Sequence, residues 1–177
     1  MLHPLIRVSK HEVIEGNGLV ATGFIAKGEV VSRLEPNQRT YRIDYILGLS
    51  DEQQDTYMHY CYQCDEENVV CEDGDEKYMN HSCDPNTWWL DDETMVARYD
   101  IQPGDELTYD YATTDVDVPF EMPCECGTDN CRGTIRHTDY LQPEWQAQYG
   151  EYLPQHVLSA IQKSAIVEET IVQKKGK

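Results

Sequence analysis

A chain of 177 residues can bury one sizeable hydrophobic core, and its formal net charge of −19 excludes nucleic acid as a direct ligand, since phosphate contacts need clustered lysine and arginine. The same charge suits a cationic partner such as a lysine- or arginine-rich peptide, drawn in by the field of the whole molecule, although solubility alone would also account for it. Twelve tyrosines against two phenylalanines imply half-buried rings whose hydroxyls reach polar partners.

No stretch reaches the roughly 18 apolar residues that a membrane helix requires. The N-terminal run Met1-Leu2-His3-Pro4-Leu5-Ile6-Arg7 lacks the long apolar segment and small-residue cleavage site of a signal peptide. An intracellular protein is therefore expected, in cytoplasm or nucleus, with its seven cysteines serving as thiols or metal ligands more often than as disulfides.

Residues 5–34 read as short strands punctuated by glycine. Gly16-Asn17-Gly18 is either a tight turn or a place where missing side chains let the backbone approach a ligand. Ile25-Ala26-Lys27-Gly28-Glu29-Val30-Val31 is echoed by Ile101-Gln102-Pro103-Gly104-Asp105-Glu106-Leu107, which suggests two equivalent strand entries. Residues 40–59 carry Tyr41, Tyr45 and Leu49 at i, i+4 spacing and read as helical, with Ser50-x-x-Gln53 a capping box that opens a second short helix.

Seven of the twelve residues from Asp65 to Glu76 are acidic, forming a solvated loop or an acidic wall beside a peptide groove. Within them Val69-Val70-Cys71 reads as a strand, followed by an Asp73-Gly74 hairpin turn. Thr87 to Leu90 and Thr94 to Ala97 read as strands around the turn Asp91-Asp92-Glu93, with Trp88 and Trp89 on opposite faces. Residues 120–136 lack apolar periodicity and cannot bury a core of their own. The remaining tail reads as helical, with Pro143 and Pro154 in first-turn positions and an apolar stripe of Val157, Leu158, Ile161 and Ala165. The basic run Lys174-Lys175-Gly176-Lys177 is expected to be a frayed end.

Three cysteines within eight residues, Cys124-x-Cys126-x4-Cys131, in a segment with no hydrophobic reason to fold, imply a metal that supplies the folding energy. Tetrahedral zinc needs a fourth ligand, and spacing leaves Cys83, Cys61, Cys64, Cys71 or a histidine open. A site closed by cysteines holds no water and is structural. Cys61-x-x-Cys64 with Cys71 is a rival cluster: core thiols is the favoured reading, against a second metal site or a redox pair.

Met79-Asn80-His81-Ser82-Cys83-Asp84-Pro85-Asn86 packs an amide, an imidazole, a thiol and a rigid turn into eight residues. From Asn80 to Asn86 it resembles a signature of SET-domain protein-lysine methyltransferases. Glu106-Leu107-Thr108-Tyr109-Asp110-Tyr111 resembles their second signature strand, and Cys124-x-Cys126-Gly127-x3-Cys131-Arg132-Gly133 resembles their post-SET zinc segment. The order and separations match as well, over residues 5–135.

The resemblance implies a mainly β, β-clip-like fold of small curved sheets with short helices, in which the two signature segments thread through one another as a pseudoknot. It divides the chain into a SET domain (residues 1–118), a post-SET zinc segment (119–137) and a C-terminal helical extension (138–177). It makes Cys83 the fourth zinc ligand beside Cys124, Cys126 and Cys131. Asn80 and His81 would contact S-adenosylmethionine, with Gly16, Asn17 and Gly18 as the cofactor-approaching segment. Tyr111 matches the tyrosine of the methyl-transfer site, Tyr57 is a looser match to a second, and Tyr109 matches the position that sets how many methyl groups are added.

The implied function is S-adenosylmethionine-dependent methylation of a lysine in a basic protein or peptide, such as a histone tail. Tyrosine at position 109 implies mono- or dimethylation. The alternative is a catalytically silent SET module that binds a basic partner. The cysteine-rich region that precedes the core in some chromatin enzymes has no counterpart here, and the short acidic segment before the octet lies where the family holds its substrate specificity.

Overall fold

The structure of the protein, a computed structural model, describes residues 1–10 and 16–175. The glycine-punctuated N-terminal part forms β1 (Ile6–Lys10), β2 (Asn17–Ala21) and β3 (Val30–Arg33). β1 and β2 are antiparallel, pairing Ile6 with Ala21 and Lys10 with Asn17. The two echoed segments meet one another. Ile25 and Ile101 form an isolated antiparallel bridge, each N–H donating to the other's carbonyl at 3.0 and 2.9 Å. Gly28 and Gly104 then turn the chain with φ of 83° and 96°, which residues with a Cβ rarely adopt.

The stretch expected to be helical from residue 40 begins instead as β4 (Arg39–Arg42) and becomes helix only in α1 (Ile43–Leu47) and α2 (Asp51–Met58). The reason is tertiary: β6 (Asn68–Cys71) offers β4 a complete antiparallel ladder from Arg39–Cys71 to Arg42–Asn68. Tyr41 still stacks on Tyr45, at 6.1 Å and 19°, so the i, i+4 pairing survives across a strand-to-helix junction. At the start of α2, Gln53 returns its side-chain oxygen to the Ser50 N–H at 3.2 Å, as the capping box requires.

β5 (Cys61–Gln63) pairs antiparallel with β6 and completes a three-stranded sheet. Its hairpin turn lies at residues 64–67 and not at Asp73-Gly74, because Asp65 Oδ1 accepts from the Glu67 and Asn68 N–H groups at 2.7 and 2.8 Å. After β6 the chain makes a 3₁₀ turn over Asp75–Tyr78.

The register of this hairpin corrects the reading of its cysteines. Cys61 stands directly opposite Cys71, with Cα atoms 4.1 Å apart, and the two form a disulfide. Cys64 is a free thiol that does not pair with Cys61, since residues three apart on a strand face opposite ways. Neither the all-thiol reading nor the Cys61–Cys64 redox pair holds.

The centre of the fold is built from the two signature segments. β7 (Asn80–His81) runs parallel to β10 (Glu106–Tyr109), which on its other edge pairs antiparallel with β2. Asn86 stitches them further, donating to the Glu106 carbonyl at 2.8 Å and accepting from the Thr108 N–H at 3.0 Å. β8 (Thr87–Trp89) and β9 (Thr94–Ala97) form the expected hairpin, with β3 on the far edge of β9. Trp89 is buried among Leu19, Ile25, Ile101 and Leu107, and its indole donates to Thr113 Oγ1 at 3.1 Å. Trp88, on the other face, stacks on Tyr152 with centroids 3.7 Å apart. Each fully buried leucine or isoleucine of this core contributes roughly 1.5–3 kcal/mol relative to exposure.

β11 (Glu121–Pro123) and β12 (Thr134–Arg136) are a two-stranded ribbon carrying the cysteine segment between them. α3 (Pro143–Tyr149) begins at a first-turn proline, and α4 (Gln155–Lys175) follows Pro154. Trp145, Tyr149, Leu153 and Val157 share a buried cluster with Ala112 and Val116, so the tail packs onto the segment that follows β10. Of the basic terminal run, Gly176 and Lys177 lie outside the described residues.

Candidate active site and metal centre

One cavity of about 740 Å³ joins the parts that the sequence singled out. Asn80 and His81 of β7, Tyr109 at the end of β10 and Tyr111 just beyond it all line the cavity. Tyr109 and Tyr111 lie side by side, with ring centroids 4.9 Å apart at 48°. The Tyr111 hydroxyl donates to the Met79 carbonyl at 3.2 Å, which fixes its ring. Burial raises the Tyr109 phenol well above its ordinary value and pushes Tyr111 up to about 12, so both remain neutral hydroxyls at physiological pH.

Beside the cavity, three strands bring Asn17, Gly18, Asn80 and Glu106 together; of these only Asn80 lines the cavity, and Gly16, Asn17 and Gly18 do not. The Asn80 amide donates to Glu106 Oε1 at 2.7 Å and to the Asn17 carbonyl at 3.2 Å. A Cβ on Gly18 would lie 2.5 Å from Glu106 Oε1 and 3.1 Å from Asn80 Nδ2, so a larger residue there would push these side chains aside. Gly16 has open space where its Cβ would be.

His81 faces inward. Its Nδ1 accepts from the Tyr111 N–H at 3.3 Å, and its Nε2 lies 3.4 Å from Cys83 Sγ. Burial lowers the imidazole to about 4, against the pull of Asp110. A neutral ring that accepts at Nδ1 carries its proton on Nε2, directed at the Cys83 sulphur.

Tyr57 does not line the cavity. It packs edge-on against Tyr41 and Tyr45, with centroids 5.0 and 6.3 Å away. Tyr60 and Tyr62, on the approach to and within β5, line the cavity instead. Acidic side chains also reach it, including Glu72, Glu76 and Asp115. Burial pushes both Glu72 and Asp115 up to about 7. The acidic segment is therefore partly cavity wall. Its carboxylates were visible as composition, but their inward direction depends on pairing of β6 with β4 and β5.

Cys83, Cys124, Cys126 and Cys131 converge, all four sulphurs lying within 4.8 Å of one another. Cys124 Sγ is 3.8 Å from both Cys83 Sγ and Cys131 Sγ. That is the edge, about 3.8 Å, of a tetrahedron drawn with zinc–sulphur bonds of about 2.3 Å, so these four residues fit such an ion. Burial pushes the Cys83 thiol to about 11 and raises Cys124, a cost that a divalent cation would reverse. Burial also acts against ionisation of Cys126, yet hydrogen bonds led by Thr128 outweigh it and carry that thiol down to about 6. Cys61, Cys64, Cys71 and the histidines are not part of this set.

The sequence model of the SET domain matches residues 16–112, more than half of the chain. The chain belongs to the SET-domain family. Within that family it is similar to Histone-lysine N-methyltransferase ash1 of Drosophila melanogaster, 37% identical over 120 residues, covering 61% of this chain and 5% of that protein. Histone-lysine N-methyltransferase ASHR3 of Arabidopsis thaliana is 31% identical over 115 residues, covering 61% and 22%. Human Histone-lysine N-methyltransferase 2D is 35% identical over 133 residues, covering 67% and 2%. This SET-domain chain thus spans a small part of the length of these relatives.

Two solved structures share its fold. The methyltransferase domain of human Histone-lysine N-methyltransferase SETMAR aligns with a TM-score of 0.55 at 23% identity, over 75% of this chain and 58% of that one. KRYPTONITE, in complex with mCHH DNA, H3(1-15) peptide and SAH, aligns with a TM-score of 0.55 at 22% identity, over 75% and 30%. Small sheets with short helices are the architecture expected from the signatures. Among the described residues no helix is long and apolar enough to cross a membrane.

Proposed function

We propose that this chain is a protein-lysine N-methyltransferase that uses S-adenosylmethionine and acts on a lysine in a basic protein or peptide, with a histone tail the leading candidate. The observation that carries the reading is the single cavity in which Asn80 and His81, the Tyr109–Tyr111 pair and an acidic wall meet. Relatives named as histone-lysine methyltransferases support the reaction class, and a structural neighbour solved with an H3 peptide and SAH supports the substrate and cofactor classes. On this reading the protein works where histones are found, in the nucleus.

Asn80, His81 and the Gly16-Asn17-Gly18 backbone hold the cofactor, which supplies a methyl group already activated on a sulphonium. What remains for the chain is positioning, and well-oriented groups reach effective molarities of 10⁵ M or more. A lysine amine in water is mostly protonated, with a pKa of about 10.4. Entering between Tyr109 and Tyr111, it leaves water, which favours the neutral form and frees its lone pair for in-line attack. The tyrosine hydroxyls and the backbone carbonyls near them orient the amine. Glu72, Glu76 and Asp115 attract the incoming cation, and Tyr60 takes the second tyrosine role first assigned to Tyr57.

Cys83, Cys124, Cys126 and Cys131 hold a structural zinc ion. With four sulphurs there is no open position for water, so its contribution is folding energy for the β11–β12 segment, which lacks an apolar core of its own. His81 Nε2–H and the Arg132 N–H, both 3.4 Å from Cys83 Sγ, steady that thiolate. The product is a mono- or dimethyl-lysine, as the tyrosine at position 109 implies.

The test is transfer of labelled methyl groups from S-adenosylmethionine onto histones and onto a whole-cell lysate, with wild type beside Tyr111→Phe. Labelling that depends on Tyr111 is expected, and it identifies the substrate band. Cofactor binding without transfer would replace the enzyme by a silent binding module. No cofactor binding would remove the reading altogether.

A further inference from the structure

Asp110 stands between the two cavity tyrosines, yet its carboxylate faces the other way and is fully buried. It accepts five hydrogen bonds. Ala112 N–H donates at 3.1 Å, and Arg132 grips both oxygens with two bonds of 2.7 Å. Two more come from α3: the Trp145 indole at 2.9 Å and the Tyr149 hydroxyl at 2.8 Å, both to Oδ2. Trp145 and Tyr149 are themselves buried, with ring centroids 4.6 Å apart.

Arg132 connects this carboxylate to the cysteine cluster. It follows Cys131 in sequence, and its backbone N–H lies on Cys83 Sγ. Its guanidinium also meets Asp139 at 3.2 Å. Asp110 thus bonds three parts at once: the segment bearing the tyrosines, the metal segment and α3, which also reaches the cysteine cluster through Gln148, whose amide donates to the Cys83 carbonyl at 2.9 Å. α3 lies beyond the residues that match the SET domain, 16–112. Packing alone would be served by phenylalanine at positions 145 and 149. Instead both polar atoms of that face go to one carboxylate, where charge-assisted bonds are strong and directional.

We propose that α3 is a working part of the site: Trp145 and Tyr149 fix Asp110, and Asp110 is a positioning residue that locks the Cys124–Cys131 segment against the segment bearing Tyr109 and Tyr111. The C-terminal extension is then a buttress of this chain's own, and removing its hydrogen bonds should loosen the metal and misalign the tyrosines together. The inference rests on the methyl-transfer and zinc readings above.

Tyr149→Phe and Trp145→Phe, singly and together in the full chain, test it: the first keeps the ring and removes only the donor, while the second removes the N–H together with part of the buried indole. Val157→Ala is the control, since Val157 is fully buried in the same cluster without touching Asp110. Zinc loss to a chromophoric chelator is expected to quicken about tenfold in the aromatic variants, the scale of lost support to metal ligands. Their kcat for methyl transfer is expected to fall about tenfold with the peptide KM nearly unchanged, the pattern of a lost transition-state alignment. Val157→Ala should lower Tm and leave both rates at wild-type levels. Wild-type zinc loss and kcat in Trp145→Phe and Tyr149→Phe would overturn the proposal. So would equal effects from Val157→Ala at the same loss of Tm. The chelator measurement needs no methyl transfer, so an inactive wild type would sink the methyltransferase reading and leave this one to be decided by zinc loss.

Discussion

Asp115 illustrates how one buried carboxylate reports on the cavity. It accepts from the Gln63 N–H at 2.7 Å and from Thr114, but burial outweighs these bonds and lifts it from 3.8 to about 7. A folded-state pKa above the unfolded one means that its contribution to stability is fully present below pH 4 and is lost as pH rises to about 7. Asp115→Asn keeps an acceptor for Gln63 and removes the charge. Relative to wild type it is therefore expected to gain stability steadily between pH 4 and 7 and to show no further change above; urea titrations at several pH values read this directly. Tyr109 carries a second prediction at the same scale. Its ring is half-buried beside Tyr111, and Tyr109→Phe is expected to shift the product toward trimethyl-lysine, read by mass spectrometry of a modified peptide. A wild type that already makes mostly trimethyl-lysine would refute the assignment of that position.

Among the elements, the β5–β6 hairpin and the β11–β12 ribbon are each too short to be stable alone, and each carries a cross-link or the makings of one. In β5–β6 it is the Cys61–Cys71 disulfide, closing a separation of 10 residues. Chain entropy assigns such a loop about 2–3 kcal/mol. Cys61→Ser combined with Cys71→Ser is expected to lose that amount in urea unfolding, while a reductant brings wild type down to the variant's level and leaves the variant unchanged. The hairpin also carries Tyr62 and follows Tyr60, so the same variant is expected to weaken peptide KM before it alters zinc content. In β11–β12 the four clustered cysteines would do the corresponding work by holding the zinc ion proposed above. Its ligands were legible as Cys124-x-Cys126-x4-Cys131, because metal chemistry restricts both residue type and local spacing. The fourth, Cys83, lies 41 residues earlier, and spacing alone could not select it from the other candidates.

For the whole molecule, the net charge of −19 and the acidic cavity wall would act together on the cationic substrate proposed above. Screening lengths shrink from about 14 Å to about 6 Å between 50 and 300 mM salt, so long-range attraction fades over that interval. The KM of a basic peptide is expected to rise roughly fivefold across it with kcat little changed, as steering rather than chemistry is being screened. A salt-independent KM would show that the charge serves solubility alone.

What the sequence determined by itself were the features written in consecutive residues: the Asn80–Asn86 and Glu106–Tyr111 signatures, the three clustered cysteines, the Trp88–Trp89 hairpin, the Ser50 capping box and the proline-started tail helices. Each depends on contacts within a few positions, where spacing and side-chain chemistry are sufficient. The tertiary structure alone decided that residues 39–42 are strand, that Cys61 bonds Cys71, that Tyr57 leaves the cavity to Tyr60, and that Asp110 is gripped by Arg132, Trp145 and Tyr149. Each of these is set by strand register or by partners at least 10 residues away. Local periodicity carries no record of which ladder a strand will join, because that choice is made by the free energy of the whole packed core.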